Sequence, residues 1–196
     1  YLTDGGAAAA PARRNAESLD VLGRLGVEPA QVHFLGEACG VPDGRLHEHL
    51  PKVAGQLAAL FGALPPDAVV YLPAWEGGHP DHDGLHAVAV ALLRARGRLD
   101  RAWQFSLYHG RGCRGPFFRV LSPLPENGPC TRYRIPFGRR LAYVRHCLRY
   151  PSQWKTWLGL SPFVLLHHLG CAHQELQRID PARLHMRPHP GRLYYE

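Results

Sequence analysis

An unbroken apolar run, Ala68-Val69-Val70-Tyr71-Leu72, lies between two helical patterns and restricts the fold more than any other segment. Such a run is typical of a strand buried on both faces of a parallel sheet. Apolar residues recur at helical spacing from Leu46 to Leu64 before it and from Leu85 to Ala95 after it. The alternation of helix and strand predicts an α/β, Rossmann-like parallel sheet with helices on both faces.

The remaining elements follow the same rhythm as far as Tyr108. Because ligands collect at the carboxyl ends of parallel strands, the loops after Leu35 and Leu72 are expected to share one rim. The further predicted elements are a helix over 11–26, a strand over 31–35, a helix over 83–96, a strand over 102–108, short strands over 117–121 and 132–137, a helix over 139–149, and a terminal strand over 193–195.

Length and composition indicate one globular domain over residues 1–196. The chain has 196 residues, of which 45% are hydrophobic and 20% charged, and this size suits a single core. No secretory segment or membrane-spanning stretch is visible in the sequence. The five cysteines form no CxxC pair, so a disulfide scaffold is not expected and we predict a reducing, cytoplasmic location.

The net charge of +7 comes from the second half of the chain. Residues 1–100 carry 8 Lys and Arg against 12 Asp and Glu, whereas residues 101–196 carry 15 against 4. A basic surface attracts phosphate, anionic lipid or nucleic acid. The alternative is an ordinary solvated face rich in arginine, because no signature of specific nucleic-acid binding accompanies the charge.

The stretch from Pro73 to His86 concentrates polar chemistry directly after the apolar run. Two glycines permit a sharp turn, and His79, Asp81, His82 and Asp83 then crowd the start of a helix. Imidazole and carboxylate together suit zinc. Two readings stay open: a metal site, or polar residues that favour the helix dipole. His86 is either a further ligand or a half-buried helix histidine.

The sequence Gly78-His79-Pro80-Asp81-His82, between an apolar strand and a helix, resembles the second signature of the PIG-L/LmbE-like zinc-dependent N-acetylglucosaminyl deacetylases. Further matching pieces occur in the family's order over residues 1–155: Leu2-Thr3-Asp4-Gly5, Arg14-Asn15-Ala16-Glu17, Leu25-Gly26-Val27, Phe34-Leu35-Gly36, Asp43-Gly44 and Tyr150-Pro151-Ser152-Gln153. The resemblance implies a zinc cofactor and hydrolysis of an N-acetyl or N-acyl group on an amino sugar or glycoconjugate by zinc-activated water.

The resemblance also implies roles for five residues. His82 matches the metal ligand, His79 the histidine that stabilises the oxyanion or protonates the leaving amine, and Asp81 the acid that orients that histidine. Arg14 and Asp43 match positions that hold substrate hydroxyl or phosphate groups. Alternatively, Arg14 forms an ion pair with Glu17 at helical spacing. The alternative for Asp43 is that it only stabilises the turn in which it lies.

The chain departs from the family's pattern in two ways. A His-Pro-Asp-Asp motif, which gives the family two zinc ligands and the general base, is absent from residues 1–196. Its absence is consistent with an N-terminally truncated domain, which we expect, or with an inactive remnant. Gly77 stands where some members carry a tyrosine. The rival function is a non-catalytic module that binds anionic glycolipid or nucleic acid through the basic half.

A dense apolar segment, Trp154 to Leu166, follows the basic helix. Tryptophan beside arginine favours the headgroup depth of a membrane, so a peripheral membrane contact is one reading. The other is a helix that closes the core or covers the substrate cleft. The arginines suit a phosphorylated or lipid-linked sugar as substrate.

Overall fold

A computed structural model of the chain describes residues 1–6, 11–114 and 117–196. Its α-helices are α1 (Pro11–Arg24), α2 (Leu35–Cys39), α3 (Leu50–Gly62), α4 (Pro80–Ala95), α5 (Phe137–Cys147) and α6 (Trp154–Gly170). Its strands are β1 (Val70–Pro73), β2 (Ala102–Phe105), β3 (Tyr108–His109), β4 (Arg119–Val120), β5 (Cys130–Arg134) and β6 (His173–Arg178). Most predicted helices and strands are confirmed within a few residues of their bounds.

The chain folds into two compact units. The first unit comprises Tyr1–Leu46 and Ile135–Ala172, and the second comprises His47–Arg134 and His173–Glu196. The first unit therefore contains α1, α2, α5 and α6, and the second contains α3, α4 and all six strands.

In the first unit, the N-terminal segment is held by α2 and the loop after it. The carbonyl of Tyr1 accepts a hydrogen bond from Gly36 N at 3.0 Å, and that of Val41 accepts one from Asp4 N at 2.8 Å. Gly36 must be glycine, because a Cβ there would lie 2.2 Å from the backbone of Thr3. The predicted strand over 31–35 is wrong: a 3-10 turn ends at Gln31, residues 32–34 are neither helix nor strand, and the short α2 begins at Leu35.

In the second unit, the main sheet is mixed and has the order β1-β2-β6-β5. Among the described strands of this sheet, only β1 and β2 are parallel, whereas β6 runs antiparallel to both β2 and β5. The prediction of a parallel sheet is thus confirmed only for the strand pair that precedes and follows α4. Strand β6, which begins at His173 after the second segment of the first unit, runs opposite to β2. The spacing of apolar residues in the sequence does not reveal this direction.

Strand β1 is an edge strand of this sheet, paired with β2 alone among the described strands. Val69 and Tyr71 are 44% and 56% exposed, whereas Leu72 is buried. The prediction that the apolar run 68–72 is buried on both faces is therefore wrong. The buried residues are Leu72, at the end of the run, and Pro73 and Ala74 after it, which lead directly into the histidine-bearing loop.

Helices α3 and α4 pack on each other, and α4 packs on β1. The core of the second unit includes Val53 and Leu57 from α3, Val88 and Leu93 from α4, and Leu124 from the loop before β5. Burying one such aliphatic side chain contributes about 1.5–3 kcal/mol. This packing fixes the N-terminus of α4 beside the end of β1.

None of the helices in the described ranges has the length and apolar character needed to cross a bilayer. The five cysteines, all in described ranges, are free thiols.

Candidate active site

The site is built where β1 ends and α4 begins. His79 is the N-cap of α4, and its extended backbone (φ −144°, ψ 133°) turns the chain from the loop into the helix. Its Nδ1 accepts a hydrogen bond from Asp81 N at 3.2 Å. Pro80 follows at the first helical position, where its missing N–H costs nothing. Because Nδ1 is an acceptor, neutral His79 carries its proton on Nε2.

His82 lies one turn into α4, with its ring centroid 4.9 Å from that of His79. The edge of the Tyr108 ring faces it at 5.7 Å. Burial, and then the neighbouring His79, lower the pKa of His82 to about 4, against an opposing effect of Asp81. A neutral imidazole with an available lone pair is the form that binds a metal ion. The structure therefore brings together His79, Asp81 and His82, the three residues predicted on this loop.

Asp83 braces the loop from within α4. Its carboxylate accepts hydrogen bonds from Glu76 N at 2.9 Å, Gly77 N at 2.8 Å and Tyr195 Oη at 2.6 Å. Burial raises its pKa, and these donors partly offset that rise. Its oxygens accept hydrogen bonds from main-chain and phenol donors. We therefore assign Asp83 to stabilising the loop and not to binding a ligand.

Glu76 fastens the same loop to the segment after β2. Its Oε2 accepts hydrogen bonds from Leu107 N at 2.7 Å and Tyr108 N at 3.1 Å. Its Oε1 contacts Ser106 Oγ, and that hydroxyl also reaches the carbonyl of Ser122 at 2.8 Å. A carbonyl only accepts, and a serine has one proton to donate. If Ser106 donates to Ser122, then the proton between Glu76 and Ser106 belongs to Glu76.

The pKa of Glu76 lies above its ordinary value. Burial raises it to about 7, assisted by the nearby carboxylate of Asp83 and opposed by the bonds from Ser106, Leu107 and Tyr108. Glu76 is only 3% exposed. A substantial fraction of Glu76 is therefore protonated near neutral pH, and its carboxyl group links the loop after β1 to the Tyr108 segment.

Two glycines let this loop pack without space for side chains. Gly77 has φ +70°, and a Cβ there would lie 2.2 Å from Leu193 Cδ2. A Cβ at Gly78 would lie 2.0 Å from the carbonyl oxygen of Tyr108. The tyrosine that some family members place at the position of Gly77 would not fit this backbone. Tyr108, which the sequence did not single out, instead brings a phenol ring to His82.

The C-terminal tail covers the other side of the loop. His189 Nε2 donates to the carbonyl of Glu76 at 3.1 Å, and its Nδ1 accepts from Gly191 N at 3.0 Å. Tyr194 N donates to the carbonyl of Gly77 at 2.8 Å. The predicted strand over 193–195 is wrong, because this segment is a turn. Its contacts join residues more than 100 positions apart, and no local sequence pattern signals them.

His86, one turn after His82, is buried. Its Nδ1 donates to the carbonyl of Pro73 at 2.9 Å, and burial lowers its pKa. His86 thus joins α4 to the end of β1, which supports the helix-histidine reading.

Arg14 lies on α1 in the first unit, with its guanidinium 4.5 Å from the centre of the Tyr150 ring. The distance from its Nη1 to Glu17 Oε2 is 3.8 Å, and this buried nitrogen has no hydrogen-bond partner among the described residues. The carboxylate of Glu17 is occupied by Ser152 N at 3.1 Å, by the Ser152 hydroxyl and by Arg13. Pairing with Glu17 therefore does not use up the donors of Arg14.

Asp43 also lies in the first unit, in the loop after α2. Its main-chain N–H donates to Asp4 Oδ1 at 3.0 Å, and its Oδ1 accepts from Thr3 Oγ1 at 3.4 Å. The same Asp4 oxygen accepts from Gly6 N at 3.0 Å. Asp4 therefore shapes the loop that presents Asp43, and the substrate role of Asp43 stays a prediction.

The donor set for a metal is incomplete in the described ranges. Within them, no three His, Cys, Asp or Glu side chains are grouped so that they could hold a metal ion. A catalytic zinc ion takes about three protein ligands, and His82 with His79 supplies two imidazoles at most. These residues alone do not fit a zinc site.

Comparison with known families places this site in context. The family PIG-L, described as GlcNAc-PI de-N-acetylase, matches residues 1–93. The resemblance to the PIG-L family is confirmed. The PIG-L match covers His79, Asp81, His82, Arg14 and Asp43 and ends within α4. Neither the curated proteins nor the solved structures give a match to the chain. At the coarse level, the match to the PIG-L family indicates a deacetylase-type hydrolase.

Proposed function

We propose that the protein is a metal-dependent hydrolase that removes an N-acetyl or N-acyl group from an amino sugar or glycoconjugate. Water is added across the amide bond, and a carboxylic acid and a free amine leave. The observation that carries the proposal is the geometry of His79 inside the PIG-L match: Asp81 N occupies Nδ1, so the proton is on Nε2. Zinc as the metal rests on the family resemblance alone.

His79 is the catalytic residue that we assign with the most support. Its Nε2–H is available to donate to the oxygen of the amide carbonyl as negative charge develops there, or to the amine as it leaves. Such a donor, fixed in advance by the N-cap geometry, stabilises the transition state more than the ground state. Orientation of His79 by the Asp81 carboxylate remains a prediction, since the hydrogen bond described above comes from the Asp81 main chain.

His82 is proposed as the metal ligand that this chain contributes. Its low pKa keeps the imidazole neutral over the physiological range, so no proton has to leave before it binds a metal. We assign no further metal ligand, because the described residues contain no group of three side chains that could hold a metal ion. In this proposal His82 binds the metal and His79 contacts the substrate.

Arg14 and Asp43 are proposed to bind the substrate. Arg14 has a planar guanidinium stacked on Tyr150 and a buried nitrogen without a hydrogen-bond partner among the described residues. A guanidinium in this state suits a sugar phosphate or hydroxyl. A phosphorylated or lipid-linked sugar is therefore our preferred substrate class.

A Rossmann-like single domain and a cytoplasmic location remain part of the same proposal.

The rival function is a non-catalytic module that binds anionic glycolipid or nucleic acid. The incomplete donor set in the described ranges and the basic second half favour it. The two functions differ in one measurable property, because only the hydrolase releases an amine.

The test is an amine-release assay on the purified, zinc-supplemented protein. Substrates are N-acetylglucosamine, its 1-phosphate and an N-acetylglucosaminyl phosphatidylinositol. We expect release that is abolished by His79→Ala and unchanged by His33→Ala, which alters an exposed histidine in the first unit. No release from any substrate, together with binding to nucleic acid or acidic vesicles, would favour the rival module.

A further inference from the structure

Helix α6 presents an apolar stripe to solvent. None of its residues is buried, and Lys155 is its only Asp, Glu, Lys or Arg residue. Five of its apolar side chains are exposed: Trp154 by 60%, Leu158 by 74%, Leu165 by 42%, Leu166 by 68% and Leu169 by 50%. At about 100° per residue, Trp154, Leu158, Leu165 and Leu169 lie within about 60° of one another around the helix.

The opposite side of α6 is the one that faces its own unit. Trp157, Leu160 and Val164 lie there and are partly buried, and α6 packs on α5. Arg140 of α5 holds the end of α6 by donating to the carbonyls of His168 at 3.0 Å and Cys171 at 3.4 Å. The helix therefore has a fixed orientation in the first unit. Since none of its residues is buried, it does not close a core, as one reading of the sequence held.

In the segment that carries the stripe, every Asp, Glu, Lys or Arg residue is a Lys or an Arg. Residues Ile135–Ala172 contain four arginines and one lysine and no acidic residue. Arg140 is used internally, and Arg149 pairs with Asp20 at 3.1 Å. Arg139, Arg145 and Lys155 are exposed, and Lys155 lies 5.8 Å from the ring centre of Trp154. Cations thus accompany the exposed leucines.

We propose that the α6 stripe, defined as Trp154, Leu158, Leu165, Leu166 and Leu169, docks the protein on an anionic phospholipid membrane. The helix lies in the plane of the interface, its leucines among the acyl chains and Trp154 at headgroup depth. Arg139, Arg145 and Lys155 meet the lipid phosphates. Anionic lipid attracts each such cation near the surface.

The distribution of charge favours a membrane over two other partners, a second copy of the chain and a nucleic acid. A second copy of the chain would bring two acid-free cationic segments together, and like charges across an interface oppose association. Nucleic acid would satisfy the cations but would leave the leucines without an apolar partner. An anionic membrane satisfies both. This inference does not depend on the proposed hydrolase activity.

Vesicle co-sedimentation tests the proposal on the full chain, with phosphatidylcholine vesicles and with vesicles that contain about 30% phosphatidylserine. We expect at least tenfold stronger binding to the anionic vesicles. We expect the double variant Leu158→Asn, Leu165→Asn to lose at least tenfold in affinity. The control variant Leu25→Asn, Met186→Asn changes two exposed apolar residues elsewhere and is expected to bind within twofold of the wild type.

A charge variant keeps the test valid if the asparagine substitutions disturb folding. Arg139→Gln with Arg145→Gln is expected to weaken binding to anionic vesicles severalfold, whereas Arg114→Gln with Arg134→Gln is not. Brominated lipids are expected to quench the wild type more than Trp154→Phe. Equal binding of wild type and the Leu158→Asn, Leu165→Asn variant, or no quenching at Trp154, overturns the proposal. So does a concentration-dependent dimer that needs the stripe and shows no vesicle binding.

Discussion

The hydroxyl of Tyr195 donates to the carboxylate of Asp83, with Oη and Oδ2 2.6 Å apart. The same carboxylate accepts the main-chain N–H groups of Glu76 and Gly77. The next-to-last residue of the chain therefore shares an acceptor with the loop that carries His79, although 112 positions separate Tyr195 from Asp83.

Tyr195→Phe is expected to lower the free energy of unfolding by about 1–2 kcal/mol, because a hydrogen bond to a charged, partly buried acceptor is lost. Urea denaturation measures it. The control Tyr133→Phe removes a hydroxyl from an exposed strand residue and is expected to change stability by less than about 0.5 kcal/mol. Equal small effects in the two variants would show that the tail does not brace the loop.

Glu76→Gln is expected to remove a pH dependence of stability. The pKa of Glu76 is about 7 in the folded protein against 4.5 for an ordinary glutamate, so the folded state holds more protons between these values. Linkage then requires the wild type to lose stability as pH rises from 4.5 through about 7, by about 3 kcal/mol from this group. Glutamine is neutral throughout and keeps an acceptor for Leu107 N and Tyr108 N.

The measurement is urea denaturation of wild type and Glu76→Gln at pH 5 and pH 8. The variant is expected to gain relative to the wild type at the higher pH. The matched control is Asp67→Asn, which changes an exposed carboxylate and should show no such gain. A difference between wild type and Glu76→Gln that does not vary with pH would mean that Glu76 is ionised at pH 5.

In protein supplied with excess zinc, His79→Ala and His82→Ala are expected to differ in what they remove. His79→Ala should lower kcat about 10²- to 10³-fold and leave metal content unchanged, since a donor to the oxyanion is lost. His82→Ala should lower both. Amine release and elemental analysis of the same preparations decide the division of roles. Equal loss of metal in the two variants would contradict it.

The 196-residue chain alone is expected to bind zinc weakly. Only His82 among the five predicted site residues is assigned to the metal, and the described residues contain no three-ligand cluster. Equilibrium dialysis measures the stoichiometry and the affinity. Stoichiometric, submicromolar binding that survives His86→Ala and disappears in His82→Ala would show that the chain recruits other ligands.

Arg14→Ala is expected to raise the KM for a phosphorylated substrate more than tenfold, because a charge-assisted bond to phosphate is lost. The KM for a neutral N-acetylglucosaminide should change less. Arg13→Ala is the matched control, since its side chain is 61% exposed one position away. Similar KM values for both substrates in Arg14→Ala would assign the residue to packing on Tyr150.

The sequence by itself determined the local elements and the location of the chemistry. Helices α1, α3, α4 and α5 follow from apolar spacing, although α4 begins at Pro80, three residues before the predicted start. These features depend on residues within one or two turns of each other. The Gly-His-Pro-Asp-His pattern likewise gave the resemblance to the PIG-L family, because a motif is a local property.

Only the tertiary structure decided the direction of the strands and the surroundings of the histidines. Strand β6 turns the predicted parallel sheet into a mixed one, and Tyr71 is exposed because β1 lies at its edge. Tyr108 and Tyr195 reach the site from segments far from His79 in the chain, and Glu76, in the loop of His79, bonds to the Tyr108 segment. The hydrogen bonds of these residues, and the raised pKa values of Glu76 and Tyr195, arise from burial and from partners at long range, which periodicity and motif spacing do not encode.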